Sequence, residues 1–230
     1  MDTYLSALTE LRADIQKTRI QFGNRVAAVE RGATDGTYQH YLEQWHRRLI
    51  IFEDEIDEAL ADVARDEPII ALMVQVKGVG LILAAQVVAE IDIRRAETVS
   101  ALWRYAGYGV VDGAAERLKK GEPAHFNRHL KTICYKVAAS MLRTNSPYRR
   151  IYDAARVYYE QAHPDWTKAH QHAAALRKMI KLWLAHLWEV WRKLEGLPVR
   201  EPYIVASDAK HHYIAPQEFG WPDVEAVGNE

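Results

Sequence analysis

Two glycines one residue apart, in Val76-Lys77-Gly78-Val79-Gly80, stand directly before an apolar run from Leu81 to Ile91. Glycine tolerates positive φ and has no Cβ, so a Gly-x-Gly turn lets successive backbone N–H groups approach an anion closely. The run that follows reads as a helix. Those amides then sit at a helix N-terminus, where the macrodipole also favours negative charge. Lys77 adds a mobile cation. The preceding stretch, Ile69 to Val76, has a helical apolar pattern and not that of a β-strand. The expectation is a helix-hairpin-helix that holds a nucleic-acid phosphate through Lys77, Gly78, Val79 and Gly80, and not a dinucleotide fold. The plain alternative is a tight turn between two packed helices, since Gly-rich turns are common there.

A formal net charge of −1 conceals an uneven distribution. Residues 117–150 carry nine Lys or Arg against Glu122 alone, a net +8, whereas residues 1–70 sum to −6 and residues 195–230 to −5. Positive charge concentrated in one window gives a local field suited to phosphate. Arg117, Lys119, Lys120, Arg128 and Lys131 are the candidate contacts, with His125 and Asn127 beside them. A solvated basic face is the alternative.

Ten histidines raise the question of a metal. His125 and His129 are spaced i, i+4, adjacent on a helix face if both are helical, but neither they nor His170, His172, His211 and His212 have cysteines or a consistent carboxylate beside them. Zinc sites announce themselves more clearly, so no metal is expected. Glu90, Asp92 and Asp112 are the carboxylates nearest the glycine turn, and nothing in their spacing makes them converge as metal-assisted cleavage requires. Trp103, Tyr105 and Tyr108 either stack on unpaired bases or belong to the core; Trp183, Leu187 and Trp191 read as core.

The elements that must position these groups are helical. Leu5, Leu8, Leu11, Ile15, Phe22 and Val26 lie mostly at helical spacing, and Gly32 to Gly36 breaks the helix. Tyr38, Trp45, Leu49, Phe52, Ile56, Leu60 and Val63 recur at steps near three, four or seven, with Glu53, Asp54, Glu55, Asp57 and Glu58 assigned to the opposite face. That is an amphipathic hairpin, which either packs on its own domain or dimerises. Pro68 can open the next helix. Thr98 to Ala106 is a short helix, and Gly107 to Gly113 a loop or small β-excursion. Phe126 to Thr144 is a basic amphipathic helix, Pro147 to His163 another, and Trp166 to Leu194 a long last helix with Asp165 as its N-cap. The proline-rich tail is expected to be extended and ordered by contact. The expected class is all-α: a coiled-coil hairpin over 1–66, a helix-hairpin-helix domain over 67–197 and an extended tail over 198–230.

The order of motifs resembles a known family. Val76-Lys77-Gly78-Val79-Gly80, Ala84-Ala85-Gln86-Val87-Val88-Ala89-Glu90-Ile91, Leu102-Trp103-Arg104-Tyr105-Ala106-Gly107-Tyr108, Asn127-Arg128-His129-Leu130-Lys131 and Ala138-Ala139-Ser140 follow one another as in the C-terminal domain of the Piv-type (pilin-invertase-like, bridge-RNA-guided) insertion-sequence transposases. The resemblance covers about residues 70–190. Members of that family carry an N-terminal RuvC-like nuclease with acidic metal ligands, then a coiled-coil hairpin, then this domain. Their nucleophilic serine lies in the loop that here runs from Val110 to Phe126, and this loop contains no serine. Ser100 lies before it; Ser140 and Ser146 lie beyond it. The chain starts at the hairpin, so the nuclease site is expected to be missing.

The resemblance therefore implies nucleic-acid binding, of DNA or RNA, without catalysis by this chain alone and without a cofactor. Mg²⁺ would enter only if the chain were a recombinase subunit working with a separate RuvC-like nuclease. A helical assembly protein is the third reading. The single cysteine, Cys134, rules out an internal disulfide and suits a reducing compartment. With no signal-peptide pattern and no apolar stretch long enough to span a bilayer, the expected setting is the cytoplasm, at the nucleoid, as a homodimer through the hairpin.

Overall fold

The computed structural model describes residues 3–111, 113–116, 121, 123–200 and 213–224. Among the described residues the chain is all-helical apart from one two-stranded ribbon, and it divides into two compact units, Met1–Glu67 and Pro68–Glu230.

The first unit is a helical hairpin of α1 (Thr3–Glu30) and α2 (Gln39–Ala64). Leu5, Leu8, Ile56, Leu60 and Ala64 are buried toward its open end. The middle of the seam is ionic. Glu53 accepts from Gln16 at 3.0 Å and pairs with Arg12 at 3.2 Å and with Arg19, while Arg12 also grips Asp57. Burial opposes ionisation of Glu53, but hydrogen bonds from Arg19 and Gln16 and the charges of Arg19 and Arg12 outweigh it, so its pKa lies below the usual value. This corrects the sequence reading, which placed Glu53 and Asp57 on the face away from the apolar residues. Their carboxylates turn inward because α1 presents arginines to them.

In the second unit α3 (Pro68–Met73), α4 (Leu81–Glu90), α5 (Val99–Tyr105), α6 (Arg128–Arg143) and α7 (Arg149–Ala162) assemble around α8 (Lys168–Leu194). The C-terminal half of α8 is buried on nearly every side: Trp183, Leu184, Leu187, Trp188, Val190 and Trp191 are all core. The N-cap of α8 is Thr167, whose hydroxyl accepts from His170 N–H, and not Asp165. The turn that closes His163 to Trp166 holds Asp165 short of the helix. Arg192, though buried, is satisfied by the carbonyls of Ile93, Ala96 and Pro198, which ties the loop before α5 to α8. Strands β1 (Val110–Val111) and β2 (Ala114–Ala115) form an antiparallel ribbon after α5. Among the described residues no helix is long and apolar enough to cross a membrane.

The C-terminal segment is fixed by a buried relay. Trp221 Nε1 donates to the Tyr148 hydroxyl at 2.8 Å; that hydroxyl lies 2.6 Å from His186 Nδ1, and His186 Nε2 is 3.0 Å from the Ile214 carbonyl. The carbonyl can only accept, so Nε2 carries the proton and Nδ1 accepts from Tyr148. Burial holds the His186 pKa down at about 4. The unfolded chain therefore binds a proton that the folded chain refuses between about pH 6.5 and about pH 4. This contribution to stability is complete above that window and is lost as pH falls through it, up to about 3 kcal/mol. Thermal unfolding should show a melting temperature that falls from pH 7.5 to pH 4.5. A His186→Gln variant should lose less over the same interval, and an identical pH slope in both proteins would exclude the residue.

Candidate nucleic-acid interface

Helix α6 is set in place by its N-cap. The Asn127 side-chain oxygen accepts from Leu130 N–H at 2.9 Å, and its Nδ2 donates to Glu90 Oε2 at 2.6 Å and to the Tyr105 hydroxyl at 3.0 Å. Tyr105 in turn donates to the Glu90 carbonyl at 2.9 Å, and His129 Nδ1 lies 2.6 Å from Glu90 Oε1. The ends of α4 and α5 and the start of α6 are thereby knotted together. Leu130, Ile133, Cys134, Val137, Ala138 and Met141 are buried. At 100° per residue these define one face. The opposite face carries Arg128, Thr132, Tyr135, Lys136 and Arg143, all exposed. Arg128, Lys136 and Arg143 have no acidic partner among the described residues, and from first to last they span about 22 Å of helix.

The glycine turn meets the far end of that helix. Gly78 has φ +97°, and a Cβ there would lie 2.8 Å from Met141 Cα and 2.8 Å from Thr144 Oγ1. Lys77 is exposed and is thus held near the Arg143 end of the stripe. Val79 is buried, and its N–H is used by the Val76 carbonyl at 2.9 Å. Gly80 is the N-cap of α4 with extended φ −85°, and nothing lies within 4 Å of its virtual Cβ. The helix before the turn, α3, is six residues long, shorter than the apolar run suggested. Only Gly78 needs to be glycine, and the reason visible in the fold is its contact with α6.

Near the start of α6 lie two hollows, Phe126 lining one and His125 the other. One, of about 680 Å³, is lined by Phe126, Arg128, His129, Lys131, Thr132 and Tyr135, with Tyr108 in its floor. The other, of about 790 Å³, lies between α5, β1 and α8; Ser100, Trp103, Arg104, Tyr105, His125 and Lys181 are in its wall. Beneath them are half-buried cations. Gly107, φ +76°, lets Lys131 and Phe126 close over it, and the Lys131 ammonium is 4.3 Å from the Phe126 ring centre. Arg177 donates to the carbonyls of Tyr108 and Gly109 at 2.7 and 2.6 Å. Lys181 stands 3.9 Å over Trp103. Burial lowers the pKa of all three, and the charge of Arg177 adds to the effect at Lys131 and Lys181. Positive charge is crowded here before any anion arrives.

The sequence-derived candidates therefore divide. Arg128 and Lys131 meet at the first hollow, and His125 lines the second. Lys77, Gly78, Val79 and Gly80 lie at the other end of α6. Arg117, Lys119 and Lys120 lie outside the described residues. Asn127 is spent on the helix cap. His125 precedes α6, so it is not a helical neighbour of His129. The sequence reading omitted Lys136 and Arg143 as contacts, although both share the face of Arg128. It also omitted Arg104, Arg177 and Lys181. The last two stand at i, i+4 on α8 among other charged residues, so spacing alone does not single them out. Of the basic window, Arg149 pairs with Asp153, and Arg150 pairs with Glu218 and lies over Phe219.

The turn generates a stability prediction. Gly78→Ala meets α6 backbone in a left-handed conformation and should cost about 2–4 kcal/mol. Gly80→Ala has open space and an ordinary φ, and should cost less than about 1 kcal/mol. Urea unfolding of the two variants checks this, and equal losses would contradict the packing described.

Comparison with known proteins bears on the same stretch. No curated protein and no solved structure matches the chain. Residues 71–153 match the family model described as Transposase IS116/IS110/IS902 family. The matched segment includes the glycine turn and the whole of α4, α5 and α6, so the part of the chain that carries the basic stripe is similar to a domain of that transposase family.

Proposed function

We propose that this protein binds nucleic acid, duplex DNA in the first place, as a relative of the C-terminal domain of Piv-type transposases. The observation that carries the reading is the exposed face of α6: Arg128, Lys136 and Arg143 without acidic partners among the described residues, in a transposase-related segment. Lys77 extends the stripe at one end, and Lys119 and Lys120 add positive charge a few positions before α6 in the sequence. Such contacts fix a protein on the backbone and read little sequence. If about five phosphates are neutralised, the logarithm of the binding constant should fall with the logarithm of salt at a slope near −4 to −5. A titration of duplex binding between low and high salt gives that slope; a value near zero overturns the electrostatic reading.

The hairpin is the proposed dimer surface. Its seam is ionic in the middle, and a row of exposed aromatic groups runs along α2, with Arg48 over Trp45 and His40 against Tyr41. Tyr38, Tyr41, Trp45 and Phe52 share one face of α2 and are 41–69% exposed. A single stripe of this kind fits a second helix of the same kind. Sedimentation should show a dimer at micromolar concentration, and Trp45→Ser with Phe52→Ser should yield a monomer of unchanged helicity. A wild-type monomer would contradict the proposal.

A second reading, favoured by the transposase match itself, makes the chain one component of a recombinase that works with a separate nuclease. Nicking of supercoiled plasmid with Mg²⁺, present only when such a nuclease is added, distinguishes it from binding alone.

A further inference from the structure

The hollow between α5, β1 and α8 holds groups for which tracking a duplex has no use. Its volume of about 790 Å³ falls in the range of small-ligand sites, about 300–1,000 Å³. Its wall presents the rings of Trp103 and Tyr105 and the polar heads of Arg104, His125 and Lys181, with no carboxylate among its described lining residues. Arg177 stands one turn before Lys181 on α8, bound to the carbonyls of Tyr108 and Gly109, and adds positive potential from behind. Burial disfavours the charge on Lys181 and Arg177, and an anion in the hollow would offset that cost. Planar rings beside concentrated positive charge suit one chemistry: a heteroaromatic base that carries a phosphate.

We propose that this hollow captures one unpaired nucleotide, its base against Trp103 and Tyr105 and its phosphate between Arg104, His125 and Lys181. The inference rests on the nucleic-acid reading above and extends it. Helix α6 follows a backbone, whereas the hollow admits only a base that has left its stack, because a paired base cannot enter it. His125 lines this hollow and its neighbour Phe126 lines the one beside α6, so a strand lying along α6 passes the entrance.

The test uses the full chain, a single-stranded oligonucleotide carrying a fluorescent adenine analogue, and a blunt duplex of the same composition. Binding of the single strand should quench the analogue. Lys181→Met and Trp103→Leu should each weaken single-strand binding by about tenfold or more and leave duplex affinity within about twofold. Arg104→Ala, at an exposed position of α5, should show the same selective loss without disturbing the core, so a folding defect in the other two variants does not decide the matter. Unchanged single-strand binding in Lys181→Met and Arg104→Ala overturns the inference, and so does an equal loss on both substrates. Adenosine monophosphate forms a further arm. If it binds as tightly as the oligonucleotide, the hollow takes a free nucleotide and the strand reading fails. If the duplex is not bound while the selective single-strand loss persists, the duplex reading fails and the hollow stands.

Discussion

The start of α6, on which the basic face depends, is set by the hydrogen bonds of Asn127. One amide side chain caps α6, binds the Glu90 carboxylate at the end of α4 and meets the Tyr105 hydroxyl at the end of α5. Charge-assisted bonds of this kind are short and directional, and they fix where α6 starts and how it is rotated. Once six apolar residues of α6 face inward, helical geometry leaves the basic residues no place but the outside. The same knot, with Asn127 N–H donating to the Tyr105 carbonyl, holds the start of α6 against α5.

Acids of the second unit that could offset this charge have partners of their own: Glu189 binds Lys193 and Tyr213, and Glu90 binds Asn127 and His129. Lys131, Arg177 and Lys181 are offset by ring faces and backbone carbonyls, which lessen the cost of burying a cation without neutralising it.

Much of this was legible in the residues. The 3.6-residue period located the hairpin, α6 and α8, but in the hairpin Tyr38, Trp45 and Phe52, read as one stripe with Ile56 and Leu60, are exposed while Glu53 is buried. Glycine and proline marked the ends. What the sequence concealed was the use of polar groups. Asn127 looks like a contact for phosphate and is a cap, because capping depends on a helix boundary that periodicity locates only to within a few residues. Glu53 looks solvent-facing until two arginines from another helix come to it. Gly78 and Gly80 look equivalent, yet only Gly78 has a positive φ and a neighbouring backbone at 2.8 Å. Lys181 is hidden in a core helix, and its link to Trp103, 78 positions away in the chain, is set by tertiary packing alone.

On the proposed reading the outer face of α6, and not basic charge in general, holds the nucleic acid. Charge reversal at Arg128, Lys136 and Arg143 together should be compared with reversal at Arg47, Arg95 and Lys168, which are also exposed and give the same net charge. Duplex affinity at fixed salt should fall by about a thousandfold or more in the first variant and by less than about tenfold in the second. Equal losses in the two variants would contradict the account.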